Sequence, residues 1–229
     1  MKKNIMSIIG ALIVLALIIL AIVLITNKPA ESSLIFKKEY EALNGTKNKM
    51  GKEHRTIKIS KNNPYVKIDP NEIVKKLENK ETFYLYVGDP KCPWCRSVLE
   101  TSIKIAKKYN IDTIYYIEIW DEEGNEIFRD KYEVKDGKAV KVKDGTEAYN
   151  TLLKSFNKVL DSYTLTDKDK TIEVGEKRIY APNYFYVKDG EVILMVEGTS
   201  DKQEDPREEL TKEMLKDEEE AFKKLFDQK

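Results

Sequence analysis

From Ile5 to Thr26 the chain reads IMSIIGALIVLALIILAIVLIT, and no charged residue stands between Lys3 and Lys28. In hydrocarbon every backbone N–H and C=O must find a partner within the segment, so a single run of this kind can cross a bilayer only as a helix. At 1.5 Å of rise per residue, roughly 20 apolar residues span a core of about 30 Å. No polar stripe at helical spacing interrupts the run, as one would in a soluble core helix. Residues 5–26 are therefore expected to form a transmembrane anchor behind a short tail, residues 1–4. A cleaved secretory signal is the competing reading. Signal cores run about 7–15 residues and end at a small-x-small site, and Asn27-Lys28-Pro29-Ala30 offers no Ala-x-Ala pattern. No cysteine follows, which excludes lipoprotein processing. Lys2 and Lys3 favour a cytoplasmic N-terminus. Lys28, Lys37 and Lys38 nearly balance them, and the short tail with its signal-like layout tips the choice. The expectation is a single-pass cell-membrane protein with its C-terminal domain outside the cytoplasm.

The chain has 229 residues, enough for one compact domain plus extra segments. Lys+Arg and Asp+Glu both count 40. A neutral chain with no basic block has no general attraction for nucleic acid, and none is expected as a partner. Two cysteines occur in the whole chain, three positions apart. A secreted scaffold held by disulfides would have more of them, scattered. The economy suggests that these two are kept for chemistry.

Residues 27–64 are polar and rich in Lys and Asn. They read as a stalk and N-terminal extension, with a short helix over Leu34–Leu43 ended by Asn44-Gly45 and one short strand around Thr56–Ser60. Residues 65–229 read as the main domain. Tyr65–Ile68 suits a strand. Asp69-Pro70-Asn71-Glu72 is a helix start, with Asp as N-cap and Pro at the first helical position. Thr82–Val87 has the aromatic and β-branched composition of a buried strand. A helix over Pro93–Tyr109 and a strand over Thr113–Ile119 complete a βαβ unit with parallel strands. An insertion follows. Asp136-Gly137 and Asp144-Gly145 read as hairpin turns, and Thr146–Tyr163 as an amphipathic helix. A loop leads to Ile179-Tyr180-Ala181-Pro182. Asn183–Val187 and Glu191–Val196 form a hairpin at Asp189-Gly190, and a helix over Pro206–Phe226 closes the chain.

Cys92-Pro93-Trp94-Cys95 falls between the buried strand and the long helix. A helix N-terminus supplies free N–H groups and positive potential, and both stabilise a thiolate. Cys92 should therefore have a lowered pKa and act as nucleophile, with Lys91 and Arg96 adding to the positive field. Cys95, one turn in and less exposed, would resolve a mixed disulfide by attacking Cys92. Zinc is a poor alternative, because two further N or S ligands are needed and only His54 is available. His54 reads as a loop residue. A purely structural disulfide closing so small a loop would stabilise little. Trp94 is either an aromatic that touches substrate or a surface cap on the motif.

At this point the sequence resembles the thioredoxin superfamily, over roughly Tyr65–Phe226. The likeness rests on the βαβαββα order, on the CPWC at a strand–helix junction, and on Pro182 just before the β-hairpin. Within the superfamily it is similar to bacterial membrane-anchored thioredoxin-like proteins, including those called bacteriocin transport accessory proteins. The resemblance implies an α/β thioredoxin-like fold, a central mixed sheet flanked by helices and carrying an α/β insertion. It implies a cis proline at Pro182 facing the motif, with the backbone of Ala181 as the docking edge for a substrate chain. Two departures bear on mechanism. Thioredoxins proper have a buried aspartate on the strand before the motif, where this chain has Tyr86; Glu118 on the next strand is the candidate substitute as proton acceptor. The dipeptide Pro-Trp is closer to a glutaredoxin-like Pro-Tyr than to Gly-Pro, so the redox direction stays open.

The function expected is thiol–disulfide exchange with extracytoplasmic protein thiols or disulfides. It implies no metal and no organic cofactor, and turnover needs an electron partner in the membrane. A thioredoxin-fold accessory module for export or assembly, with no essential redox turnover, is the first alternative. A redox-sensing regulator is the second.

Overall fold

The computed structural model describes residues 30–121 and 123–228. The expected tail (1–4) and anchor (5–26) lie outside these residues. Among the described residues, no helix is long and apolar enough to cross a membrane.

The element order is α1 (Glu31–Glu41), β1 (Tyr65–Lys67), α2 (Pro70–Glu78), β2 (Phe83–Gly88), α3 (Pro93–Lys108), β3 (Ile114–Glu118), β4 (Lys131–Lys135), β5 (Lys138–Lys143), α4 (Glu147–Phe156), β6 (Asp161–Asp167), β7 (Lys170–Arg178), β8 (Asn183–Lys188), β9 (Glu191–Val196) and α5 (Lys212–Phe226). Five strands make one mixed sheet in the order β1-β3-β2-β8-β9. Strand β3 runs parallel to β1 and β2, while β8 runs antiparallel to both β2 and β9. Helices cover both faces.

Side chains alternate across a strand with a period of two, and here the alternation sorts two chemistries. Phe83, Leu85 and Val87 of β2, with Phe185 and Val187 of β8, join Ile73 of α2 and Leu152 and Phe156 of α4 in an aliphatic and phenylalanine core. Tyr86 and Tyr184 point the other way, with Tyr65 and Tyr116, toward Val98 and Leu99 of α3, Phe222 of α5, and Phe36 and Tyr40 of α1. That second face is a layer of stacked rings: Tyr86 lies 4.4 Å from Tyr184 and 5.3 Å from Tyr116, and Phe36 lies 4.2 Å from Tyr65. Buried hydroxyls need partners. Tyr40 and Tyr86 bond each other at 3.0 Å, and Tyr65 bonds Tyr184 at 3.1 Å. The tyrosine layer lies beneath the helix that begins at the cysteines.

The extension is not a free stalk over its described part. Helix α1 runs Glu31–Glu41, earlier than the expected Leu34–Leu43, and buries Phe36 and Tyr40. The strand expected at Thr56–Ser60 is absent. Its alternation is real, since Ile57 and Ile59 are buried, but its backbone bonds side chains instead of a neighbouring strand. Asn44 receives the Ile57 N–H and donates to the Ile57 carbonyl, Glu41 receives the Ile59 N–H, and Lys37 donates to the Ile59 carbonyl.

The insertion also differs from expectation. Helix α4 stops at Phe156, and a 3₁₀ turn at Asn157–Val159 leads into β6, where the sequence suggested helix to Tyr163. Strands β6 and β7 pair as a hairpin where a loop was expected; its turn residues Lys168 and Asp169 both have positive φ (46° and 66°) without a glycine between them. Asp136-Gly137 does turn β4 into β5. Asp144-Gly145 does not make a hairpin; it leads to Thr146, whose side chain caps α4 at the Tyr149 N–H. The last helix starts at Lys212 behind the Thr211 cap, not at Pro206.

Candidate functional site

Strand β2 ends at Gly88, where only glycine fits: a Cβ there would lie 2.1 Å from the Tyr86 hydroxyl. Asp89 follows. Its side chain accepts the Lys91 N–H at 2.7 Å and its carbonyl accepts the Cys92 N–H at 3.2 Å. This tight turn delivers Cys92 to the N-cap of α3, with Pro93 in the first turn.

Both cysteines are free thiols. The Cys92 sulfur accepts the Cys95 N–H at 3.3 Å and donates to the Ala181 carbonyl at 3.4 Å. Burial works against ionising Cys92, but hydrogen bonds from the Cys95 thiol and the Cys95 N–H outweigh it, and its pKa falls below the ordinary value. Burial pushes Cys95 well above its ordinary value, and the Cys92 sulfur pushes in the same direction. Opposing them, the Tyr86 hydroxyl and the Asp89 backbone N–H stabilise a Cys95 thiolate. The pair is thus differentiated: one thiol poised to ionise at the helix end, the other held neutral behind it.

Ala181 and Pro182 face the motif, and the peptide bond between them is cis. Asn183 holds this loop by accepting the Tyr180 N–H at 2.7 Å. Trp94, half-buried, lines one concavity together with Tyr180, Ala181 and Pro182. Five of the residues singled out in the sequence, Cys92, Trp94, Cys95, Ala181 and Pro182, therefore meet at one place.

Glu118, the expected proton acceptor, lies on β3. Its carboxylate pairs with Lys67 on β1, and its influence on the motif passes through the Asp89 carboxyl, whose protonation its charge favours. Arg96 turns its guanidinium to the extension. Its buried guanidinium donates to the carbonyls of Tyr40, Arg55 and Pro90 and to Asn44, which ties the extension to the motif helix. Arg129, held by Glu126 at 2.6 Å, is one charge that lowers the Cys92 pKa.

Two residues of the site were missed in the sequence. Asp89 is 1% exposed. Burial, helped by the Glu118 charge and opposed by the Lys91 N–H, raises its carboxyl to about 7. Arg129 comes from the insertion, and no local pattern pointed to it. Burial also keeps the phenols of Tyr40, Tyr86, Tyr116 and Tyr184 well above 10, so they stay neutral around the pair.

Compared with known proteins, the chain matches no family model, and no curated protein matches it.

Proposed function

We propose that the chain is a thiol–disulfide oxidoreductase of the thioredoxin superfamily, anchored by residues 5–26 and acting on protein thiols or disulfides outside the cytoplasm. The observation that carries the reading is the differentiated cysteine pair: Cys92 with a lowered pKa at the N-cap of α3, opposite the Ala181–Pro182 backbone, and Cys95 behind it. A perturbed thiol beside the half-buried Ala181 backbone is the arrangement that disulfide exchange uses.

In the reducing direction, the Cys92 thiolate attacks one sulfur of a substrate disulfide and expels the other as a thiolate. Cys95 gives up its proton to Asp89, whose carboxyl at about 7 can accept it near neutrality. The Cys95 thiolate then attacks the Cys92 sulfur and releases the second substrate thiolate. The substrate gains two electrons, and Cys92–Cys95 ends as a disulfide. Run backwards, the same steps oxidise a substrate dithiol. Trp94, Ala181 and Pro182 hold the substrate chain across the pair, and a membrane partner resets the cysteines.

The test is equilibration of the full-length chain, in neutral detergent, with glutathione buffers, counting free thiols by alkylation and mass. One two-electron transition between about −120 and −270 mV is expected, and Cys95→Ser should accumulate mixed disulfides through Cys92. If Cys92 and Cys95 form no reversible disulfide, the enzyme reading fails and the accessory module takes its place.

A further inference from the structure

Adjacent residues of the motif open onto two different grooves. Pro93 lines a concavity of about 480 Å³ built from the extension loop, Trp120, Glu123, Gly124 and Arg207. Trp94 lines another of about 360 Å³, bounded by the Ala181–Pro182 loop and residues 197–203. The chain carries no net charge, yet charged side chains of opposite sign line the two grooves, with Lys47 and Arg207 of the first also paired outside it, to Glu53 at 3.7 Å and Asp205 at 3.5 Å. Lys47, Lys49, Lys91 and Arg207 line the first, with Glu123 as its one carboxylate among the described residues. Glu197 and Asp201 line the second, which has no cation among its described lining residues.

The basic groove is organised as well as charged. Lys49 reaches across it to donate to the Glu123 carbonyl at 3.2 Å, which leaves its positive charge facing a backbone oxygen instead of a carboxylate. His54 in the same wall is held below its ordinary value by burial and then by the charges of Arg96, Arg207 and Lys91. Met50, 77% exposed, adds an apolar rim. The loop that supplies Lys47, Lys49 and Met50 belongs to the extension, which Arg96 fastens beside the motif.

We propose that these two grooves select an extended protein segment of defined charge polarity, with an acidic flank on the Pro93 side of its reactive cysteine and a basic flank on the Trp94 side. The proposal rests on the exchange reaction above and names the substrate class for that site. Complementary charges at the rim of an interface act mainly on the encounter rate, and salt weakens them. The selection should therefore appear as a rate difference that disappears at high ionic strength.

The test uses the reduced full-length chain in neutral detergent and two peptides of identical composition. Each carries one cysteine as a mixed disulfide with thionitrobenzoate. One has two glutamates before the cysteine and two lysines after it; the other has the order reversed. Both have the same net charge, so general attraction cancels. In either reaction the two protein thiols reduce the mixed disulfide, releasing peptide thiol and coloured thionitrobenzoate and leaving Cys92–Cys95 oxidised.

One isomer should react roughly ten-fold faster at low salt. The ratio should approach one in concentrated salt and in the Lys49→Glu, Arg207→Glu double variant, while the rate with neutral hydroxyethyl disulfide stays unchanged in that variant. Equal rates for the two isomers, with hydroxyethyl disulfide reacting normally, would overturn the proposal. If hydroxyethyl disulfide itself does not react, the exchange reading fails instead. The grooves are then judged by binding of the same two peptides with serine for cysteine, read by tryptophan fluorescence, since Trp120 lines one groove and Trp94 the other. Equal binding of both isomers overturns the proposal there too. So does inorganic phosphate that displaces the preferred peptide from the basic groove at equal concentration, which would make that groove a small-anion site.

Discussion

Asp89→Asn separates the electrostatics of the site from its shape. Asparagine keeps a side-chain oxygen for the Lys91 N–H, which Asp89 accepts at 2.7 Å, and removes the charge. The native carboxyl sits at about 7 against an ordinary 3.8. Between those values the folded state holds a proton that the unfolded state has lost. The contribution of Asp89 to native stability therefore falls as pH rises from about 4 to about 7 and is level above that. Three pH steps at 1.36 kcal/mol each set an upper bound of roughly 4 kcal/mol for the cost of ionising Asp89 in place. The variant should match the parent at pH 4 and exceed it by on the order of 2–4 kcal/mol at pH 8. Denaturant unfolding of the reduced full-length chain in neutral detergent, followed by tryptophan fluorescence at both pH values, measures this. The closure rate of the Cys92–Cys95 disulfide should lose its inflection near pH 7 in the same variant. An equal stability change at pH 4 and pH 8, or a parent closure rate with no inflection near 7, would refute the reasoning.

Glu218 is fully buried between α3 and α5 with a carboxyl lifted by burial to about 7, and Thr101 donates to one of its oxygens at 2.6 Å. Glu218→Gln keeps that acceptor, so it should raise stability at pH 8 and leave it unchanged at pH 4; a loss at both would show that the charge matters to the packing. Tyr86→Phe removes a hydroxyl that bonds Tyr40 and supports the Cys95 thiolate. It should cost about 1–2 kcal/mol in unfolding and slow disulfide closure, while alkylation of Cys92 proceeds at the parent rate. Arg96→Met strips four backbone and side-chain acceptors of their buried donor. A penalty of roughly 3 kcal/mol follows, and limited proteolysis should cut first within residues 44–60; cleavage elsewhere would mean that the extension is held by other contacts.

Much of the sheet was legible because its signals are local. The alternation of Phe83, Leu85 and Val87 against Tyr84 and Tyr86 is a period-two pattern that any buried strand must show, and Asp189-Gly190 states its own turn, so β9 lies where the sequence placed it, at Glu191–Val196. The CPWC at a helix start carried its chemistry in its spacing. Signals that lacked a local code failed. The β6–β7 turn has Lys168-Asp169 in positive φ, where a glycine or asparagine would have announced it. Thr56–Ser60 alternates like a strand, and whether it pairs depends on what lies alongside; α1 lies there, so side chains take its backbone bonds.

The sequence by itself determined which residues could do the chemistry: two thiols at helix-start spacing, a proline before a hairpin, and an apolar run ahead of the domain. Only the tertiary structure decided how that chemistry is tuned. Asp89 is an ordinary turn residue until the extension and the tyrosine layer bury it. Arg96 reads as a cation for the thiolate, but only the fold sets its guanidinium against the carbonyls of Tyr40, Arg55 and Pro90, and Arg129 acts on Cys92 from an insertion far along the chain. Periodicity and turn chemistry are properties of neighbours in sequence. Burial and charge are summed over neighbours in space, and those are set only once the chain has folded.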